Sequence, residues 1–296
     1  MRKIIQTEIT NIGDPFIMPY KGVYYHYSTS DKDGFIVYTS TNLINWDKKG
    51  YCYMNSKVGY MNFWAPEVFE KDGLFYMFFT AKNKDKEELL GSVAVSRSPL
   101  GPFVDVNDKP TFDFGYPAID ATLFKDDDGT YYMYFAKDCS KNIVNGIHTS
   151  QIYGVKLKND LVTPDGEPIM LTTPEGEYET GDPEWQWNEG PAMLKHSGKY
   201  YLSYSTNFFA DKRYSVCYAV SDAPLGQYVK AKENPILAFI EGKISGPGHN
   251  SYFETFDGKL MTAYHIHTDM QNPSGNRRTC FSRYYFENNQ LKIDYK

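Results

Sequence analysis

Asp14, Asp120 and Glu189 are the side chains of this sequence whose type and placement could do chemistry. Each sits at the head of the same kind of stretch: a carboxylate, a short apolar run, a turn built on Gly, then a dense aromatic run. Carboxylates brought together shift one another's pKa values, because neighbouring like charges resist joint ionisation. One can then stay ionised as a base while another stays protonated as an acid, which is what hydrolysis of a glycosidic bond requires. Taken singly, each is more often a strand cap or turn residue. Their recurrence at one phase of a repeat sets them apart from that reading.

The elements that must position them repeat five times. The units run from Asp14–Met18 through Lys21-Gly22 to Val23–Tyr27, from Trp64–Phe69 through Asp72-Gly73 to Leu74–Phe78, and from Ile119–Phe124 through Asp128-Gly129 to Thr130–Tyr134. The fourth runs from Glu189–Leu194 through Ser197-Gly198 to Lys199–Ser203, the fifth from Gly248–Phe253 through Asp257-Gly258 to Lys259–Ala263. Asp-Gly between two strand-like runs is a strong hairpin signal. Third strands are predicted at Phe35–Tyr38, Ser92–Val95 and Ser215–Val220, and matching turns at Ser98–Phe103 and Asp222–Tyr228. The Gly turns recur roughly every 50–70 residues, as for four-stranded blades with added loops. The pattern predicts an all-β chain, one five-bladed β-propeller domain over residues 1–296. Innermost strands of a propeller line its central channel, so residues at their starts converge on the axis.

Bulk properties exclude other classes. A net charge of −6 carries no electrostatic footprint for nucleic acid. No apolar run is long enough to span a membrane. Aromatic residues make up 17%, including 26 Tyr and 19 Phe, which fits an aromatic all-β core with a few rings left to stack on sugars. Cys52, Cys139, Cys217 and Cys280 are far apart and form no zinc spacing, so free thiols are expected. The N-terminus is basic at Arg2 and Lys3 without the apolar core of a signal peptide, so a cytoplasmic chain is expected.

The ordered set Gly13-Asp14-Pro15, Phe63-Trp64-Ala65-Pro66-Glu67, Ile119-Asp120, Glu189-Gly190-Pro191, Gly246-Pro247-Gly248-His249-Asn250 and Tyr264-His265 resembles glycoside hydrolase family 43 over almost the full length. The Arg-Asp-Pro segment and Glu-Cys pair of the related sucrose- and fructan-cleaving propellers do not occur. The resemblance implies that Asp14 is the general base, that Glu189 is the general acid, and that Asp120 holds Glu189 and raises its pKa. It implies inversion at the anomeric carbon, with base and acid roughly 6.5–9.5 Å apart. It places His249 near the axis, where it contacts sugar or a structural calcium ion or else orients a carboxylate, and it places Arg278, beside Arg277, on the sugar. Phe16 and Trp64 are expected to wall the pocket. Trp185 and Trp187 are read either as a platform for the next sugar or as core between blades. No cofactor is required by the chemistry, and the partner implied is an oligo- or polysaccharide.

Two tempting features are set aside. Asp126-Asp127-Asp128-Gly129 reads as a hairpin turn because it lacks the spacing and closing Glu of an EF-hand loop. His265 and His267 alternate as in some metal sites, without an evident third ligand. The expected activity is exo-acting removal of terminal α-L-arabinofuranose. β-D-Xylosidase and β-galactofuranosidase are the alternatives within the family, endo-arabinanase shares the same carboxylates, and a non-catalytic sugar-binding propeller is the alternative outside enzymes. A WD-type interaction propeller lacks its Gly-His and Trp-Asp signature here. The chain is expected to lack the C-terminal β-sandwich of many relatives, leaving propeller loops or a partner subunit to close the pocket.

Overall fold

The computed structural model describes residues 3–296; Met1 and Arg2, part of the basic N-terminus noted above, lie outside them. The described chain is nearly all strand, with one single-turn helix at Gly176–Glu179. It forms a five-bladed β-propeller. Blade two comprises Met61–Lys71, Leu74–Lys82, Leu89–Ser96 and Val104–Asp105, each antiparallel to the next. Blade three comprises Ala118–Lys125, Tyr131–Lys137, Gln151–Leu157 and Ile169–Thr172. Blade four comprises Asn188–His196, Lys199–Thr206, Ser215–Ser221 and Val229–Lys230.

Blades one and five share a strand. Ile5–Tyr20 pairs through Ile5 and Ile12 with Phe281 and Arg277 of Arg277–Glu287, which follows Gly248–Glu254 and Leu260–His267 in blade five. From Gly13 to Tyr20 it pairs with Val23–Thr29 as the innermost strand of blade one, continued by Gly34–Ser40 and Asp47–Met54. One continuous strand thus joins the last blade to the first and covers an edge that would otherwise expose unpaired backbone groups.

The hairpin signals divide by geometry. Lys21-Gly22, Asp72-Gly73 and Ser197-Gly198 are two-residue turns with positive φ at both positions, the type I′ geometry that matches strand twist. In blades three and five the Gly closes a longer loop, held by Asp126 N–H donating to Thr130 O and Thr255 N–H to Lys259 O. The matching turns at Ser98–Phe103 and Asp222–Tyr228 lead into the fourth strands of blades two and four.

Five hydrophobic clusters fill the five gaps between neighbouring blades. Both faces of each blade are therefore buried, so its strands read as aromatic runs rather than as alternation. Tyrosine suits this place because its ring packs while its hydroxyl crosses to the next blade. Tyr27 of blade one donates to Pro99 O of blade two at 2.5 Å, and Tyr134 of blade three donates to Pro224 O of blade four at 3.1 Å. Phe16 belongs to the cluster between blades one and two, 5.3 Å from the Phe69 ring. It does not wall the channel, which corrects the expectation for that residue. The four cysteines are free and buried.

Candidate active site

Each innermost strand carries a β-bulge near its start, where the register shifts and the first extra residue has positive φ. These residues are Asp14 (55°), Ala65 (46°), Asp120 (59°), Gly190 (55°) and His249 (49°); blade two has a further shift at Asn62 (54°). At such a bulge the extra residue redirects the chain, and two consecutive side chains can reach one side. The first of each pair is Gly13, Trp64, Ile119, Glu189 and Gly248. Glu189 therefore lies one residue ahead of Asp14 and Asp120 in the repeat, not at their phase as expected. The bulge brings all three to the axis despite that offset.

Neighbouring blades are latched through the same bulges. The backbone N–H of Ala65 donates to Thr29 Oγ1 (2.9 Å), Asp120 to Thr80 Oγ1 (3.0 Å), His249 to Ser205 Oγ (2.7 Å) and Asp14 to His265 Nδ1 (3.2 Å). Each acceptor stands on the second strand of the preceding blade, paired with the first bulge residue there. In blade three that position is Ala136, paired with Ile119, and it has no acceptor to offer. The Gly190 N–H instead donates to Asp120 Oδ2 at 3.0 Å. The backbone beside Glu189 is therefore tied to the second carboxylate.

Where the first bulge residue is glycine, another side chain uses the space. A Cβ on Gly13 would lie 2.0 Å from Arg277 Nη2, and one on Gly248 would lie 2.2 Å from Tyr214 Cε1. These two absent methyl groups let Arg277 reach Asp14 and Tyr214 reach Glu189.

The resulting cavity holds about 240 Å3 and is lined by the three carboxylates with Trp64, His249 and Arg277, among others. That is below the roughly 300–1,000 Å3 of pockets for drug-sized ligands and suits one sugar ring. Asp14 Oδ1 faces Arg277 Nη1 at 3.1 Å and His249 Nδ1 at 3.2 Å, and its Oδ2 accepts the Thr29 hydroxyl at 2.5 Å. Burial alone would raise its pKa; Arg277 and the remaining partners outweigh burial and hold it well below the usual carboxylate range. His265, against which Arg277 Nη1 lies at 3.4 Å, is kept neutral by burial and by that cation.

Glu189 behaves oppositely. Burial chiefly, with Asp14 and Asp138 adding repulsion, pushes it up to about 8, and the Tyr214 hydroxyl, donating to Oε1 at 2.8 Å, partly opposes the rise. Burial also pushes Asp120 up to about 7, with Glu189 and Asp14 contributing. At neutral pH the cavity thus presents an ionised carboxylate and a protonated one, the pairing that acid–base hydrolysis needs.

Trp64 and His249 stand in the cavity wall. Arg278 does not. It points to Gln6 at 3.5 Å while Arg277, one residue earlier, turns inward. Alternation along the strand decides this, because Arg277 pairs with His267 and shares the face of His265. Tyr214 and Asp138 were not singled out from the sequence, since neither falls at a repeat phase. His267 is satisfied by Ser245 Oγ (2.9 Å) and Phe209 O (2.8 Å). Asp126 accepts from Tyr200 at 2.6 Å and pairs with Lys195 in its turn.

Among the described residues, acidic, histidine and cysteine side chains alone build no site for a calcium ion. His249 Nδ1 is engaged with Asp14, and no three of these side chains are grouped to hold a metal among the described residues. No step below runs through one.

A propeller whose axis holds buried carboxylates of opposed protonation is the scaffold of a carboxylate-dependent glycosidase. The model of the glycosyl hydrolases family 43 matches residues 9–291, and the chain belongs to that family. A solved structure of a thermostable family-43 glycoside hydrolase is 43% identical, with a TM-score of 0.95, over 99% of this chain and 96% of that one. The β-D-galactofuranosidase xynD of Aspergillus niger is 26% identical over 92% of this chain and 79% of its own length. A xylosidase/arabinosidase of Bacteroides ovatus is 30% identical over 68% of this chain and 63% of its own.

Proposed function

We propose that this glycosidase is an inverting, exo-acting enzyme that releases terminal α-L-arabinofuranose from plant-type oligo- or polysaccharides. The observation that carries the reading is the small cavity that brings together Asp14, paired with Arg277, and Glu189, hydrogen-bonded by Tyr214, with burial and charge pushing their pKa values in opposite directions. Asp14 takes a proton from water as the water oxygen attacks the anomeric carbon. Glu189 gives its proton to the glycosidic oxygen as that bond breaks, leaving a reducing sugar and an alcohol. Asp120 positions Glu189 through Gly190 and raises its pKa. Trp64 walls the ring, and His249 orients Asp14.

A one-ring cavity favours terminal residues over mid-chain cutting. Furanose recognition is supported by the name of one relative, a galactofuranosidase, and arabinoside cleavage by that of the other, a xylosidase/arabinosidase. The latter also supports the second reading, β-D-xylosidase. A pocket hydrogen-bonded to one ring form leaves polar groups unpaired against the other. The test is kcat/KM on aryl α-L-arabinofuranoside, β-D-xylopyranoside and β-D-galactofuranoside, with proton NMR of the first-formed anomer. Preference for the xyloside moves the enzyme to the second reading, and early appearance of the retained anomer overturns the acid–base assignment.

A further inference from the structure

A second cavity of about 570 Å3 opens beside the catalytic one, and the two share Trp64, Asp138, Trp187 and Phe208 in their walls. Its far wall is Trp185, presented by a small sheet outside the blades in which Ile147–Thr149 pairs with both Ile143–Val144 and Trp185–Gln186. That sheet contributes to none of the hydrophobic clusters between blades, and neither do Trp185 and Trp187. Both indoles are half-buried, where core between blades would bury them. The two rings lie side by side, with centroids 6.3 Å apart and planes within 17°. Phe208, 43% exposed, continues the row 5.4 Å from Trp187.

The row is held in place. His148 stacks on Trp185 at 3.9 Å and 8°, and its Nδ1 contacts Cys139 O at 2.9 Å. Asp182 Oδ1 accepts the N–H groups of Glu184 and Trp185 at 2.9 Å each, fixing the turn that delivers the indole. Ordered, part-exposed aromatic faces that lead away from an acid and a base are suited to the apolar faces of sugar rings. The charges narrow the ligand. Asp138, Asp182 and Asp211 line the second cavity, and among the described residues its one cation, Arg213, is occupied by Asp211 at 3.0 Å. An anionic glycan would meet unpaired carboxylates there.

We infer that the shelf of Trp185, Trp187 and Phe208 is the leaving-group subsite, and that it takes an uncharged glycan chain of at least two further rings rather than a uronate-bearing one. The inference rests on the exo-glycosidase reading above. Trp185 lines only the second cavity, so Trp185→Ala separates the sites. On a nitrophenyl arabinofuranoside the variant should keep kcat/KM within about twofold, while on a neutral arabinotriose KM should rise about tenfold, a modest share of what burying an aromatic ring can supply. Trp185→Phe should restore most of that loss, and melting temperatures check that the small sheet persists. Equal loss on both substrates, loss on neither, or a lower KM for a uronate-bearing trisaccharide overturns the inference. If the wild type cleaves no aryl glycoside, the functional reading fails instead. Calorimetric titration of arabinotriose into both proteins then tests the shelf, and equal affinity rejects it.

Discussion

Asp120 Oδ2 accepts the backbone N–H of Gly190 at 3.0 Å, from blade three to blade four. At the other blade junctions this role falls to Thr29, Thr80, Ser205 or His265, and it passes to Asp120 because Ala136 offers no acceptor. Asp120 therefore has two separable effects, one positional and one electrostatic. Asp120→Asn keeps an acceptor without the charge, and Asp120→Ala removes both. We predict a deeper loss of kcat for Asp120→Ala, by about tenfold or more relative to Asp120→Asn. Adding Ala136→Ser to Asp120→Ala restores a latch and should recover part of kcat, with no return of the wild-type pH profile. No recovery in a double variant of unchanged melting temperature rejects the latch.

The pH dependence follows from the opposed shifts. Activity needs Glu189 protonated, so kcat/KM should fall as pH rises through about 8. Asp120, pushed up to about 7, titrates as a coupled partner and broadens that limb. Asp14 must be ionised, and being held below the usual range it should stay active down to pH values where ordinary carboxylates protonate. In Asp120→Asn the neighbouring negative charge is gone, Glu189 loses its proton more readily, and the alkaline limb moves to lower pH. A limb that stays in place, measured by kcat/KM against pH, contradicts the electrostatic role.

Arg277 and Arg278 should behave oppositely despite their adjacency. Arg277→Ala leaves Asp14 buried without its cation, raises its pKa and moves the acid limb of kcat/KM to higher pH. The fold should also weaken by about 3 kcal/mol, the scale for breaking a buried ion pair. Gly13→Ala pushes a methyl into the guanidinium and should shift the acid limb the same way. Arg278→Ala should change stability by no more than about 0.5 kcal/mol, as a surface change does. Identical profiles for the two arginine variants would remove Arg277 from the site.

The blades and their innermost strands were legible in the sequence because each unit spells its own hairpin in turn residues, a local signal. The phase of Glu189 was not, since a bulge lets adjacent residues face one side and the strand period hides it. Phe16 was misplaced because, past the bulge, alternation along the innermost strand sends side chains into the gaps on either side, Phe16 and Met18 into that between blades one and two and Ile17 into that between blades five and one. Arg277 needed the pairing of His267 with Arg277, a register set across a hairpin loop. Tyr214 reaches Glu189 only because Gly248 vacates its path, a relation between distant segments that no spacing encodes.

Tyr214 yields the sharpest separation of acid catalysis from general damage. Its hydroxyl donates to Glu189 Oε1 at 2.8 Å, so the other carboxyl oxygen is left to carry the proton toward the leaving group. Its ring lies parallel to His265, centroids 5.4 Å apart. Tyr214→Phe keeps the ring and that contact while deleting the hydrogen bond. The bond favours the charged form of Glu189, so its loss should raise the pKa and move the alkaline limb upward. It also frees the carboxyl to turn away from the glycosidic oxygen. Leaving groups that need a proton, such as sugars and alkyl alcohols, should then lose up to about a hundredfold in kcat/KM, the low end of the range for general acid catalysis. A dinitrophenyl leaving group departs without one and should be cleaved at close to the wild-type rate. The measurement is the slope of log kcat/KM against leaving-group pKa, which should steepen in the variant. An unchanged slope with a uniform loss would show that Tyr214 shapes the pocket without orienting the acid.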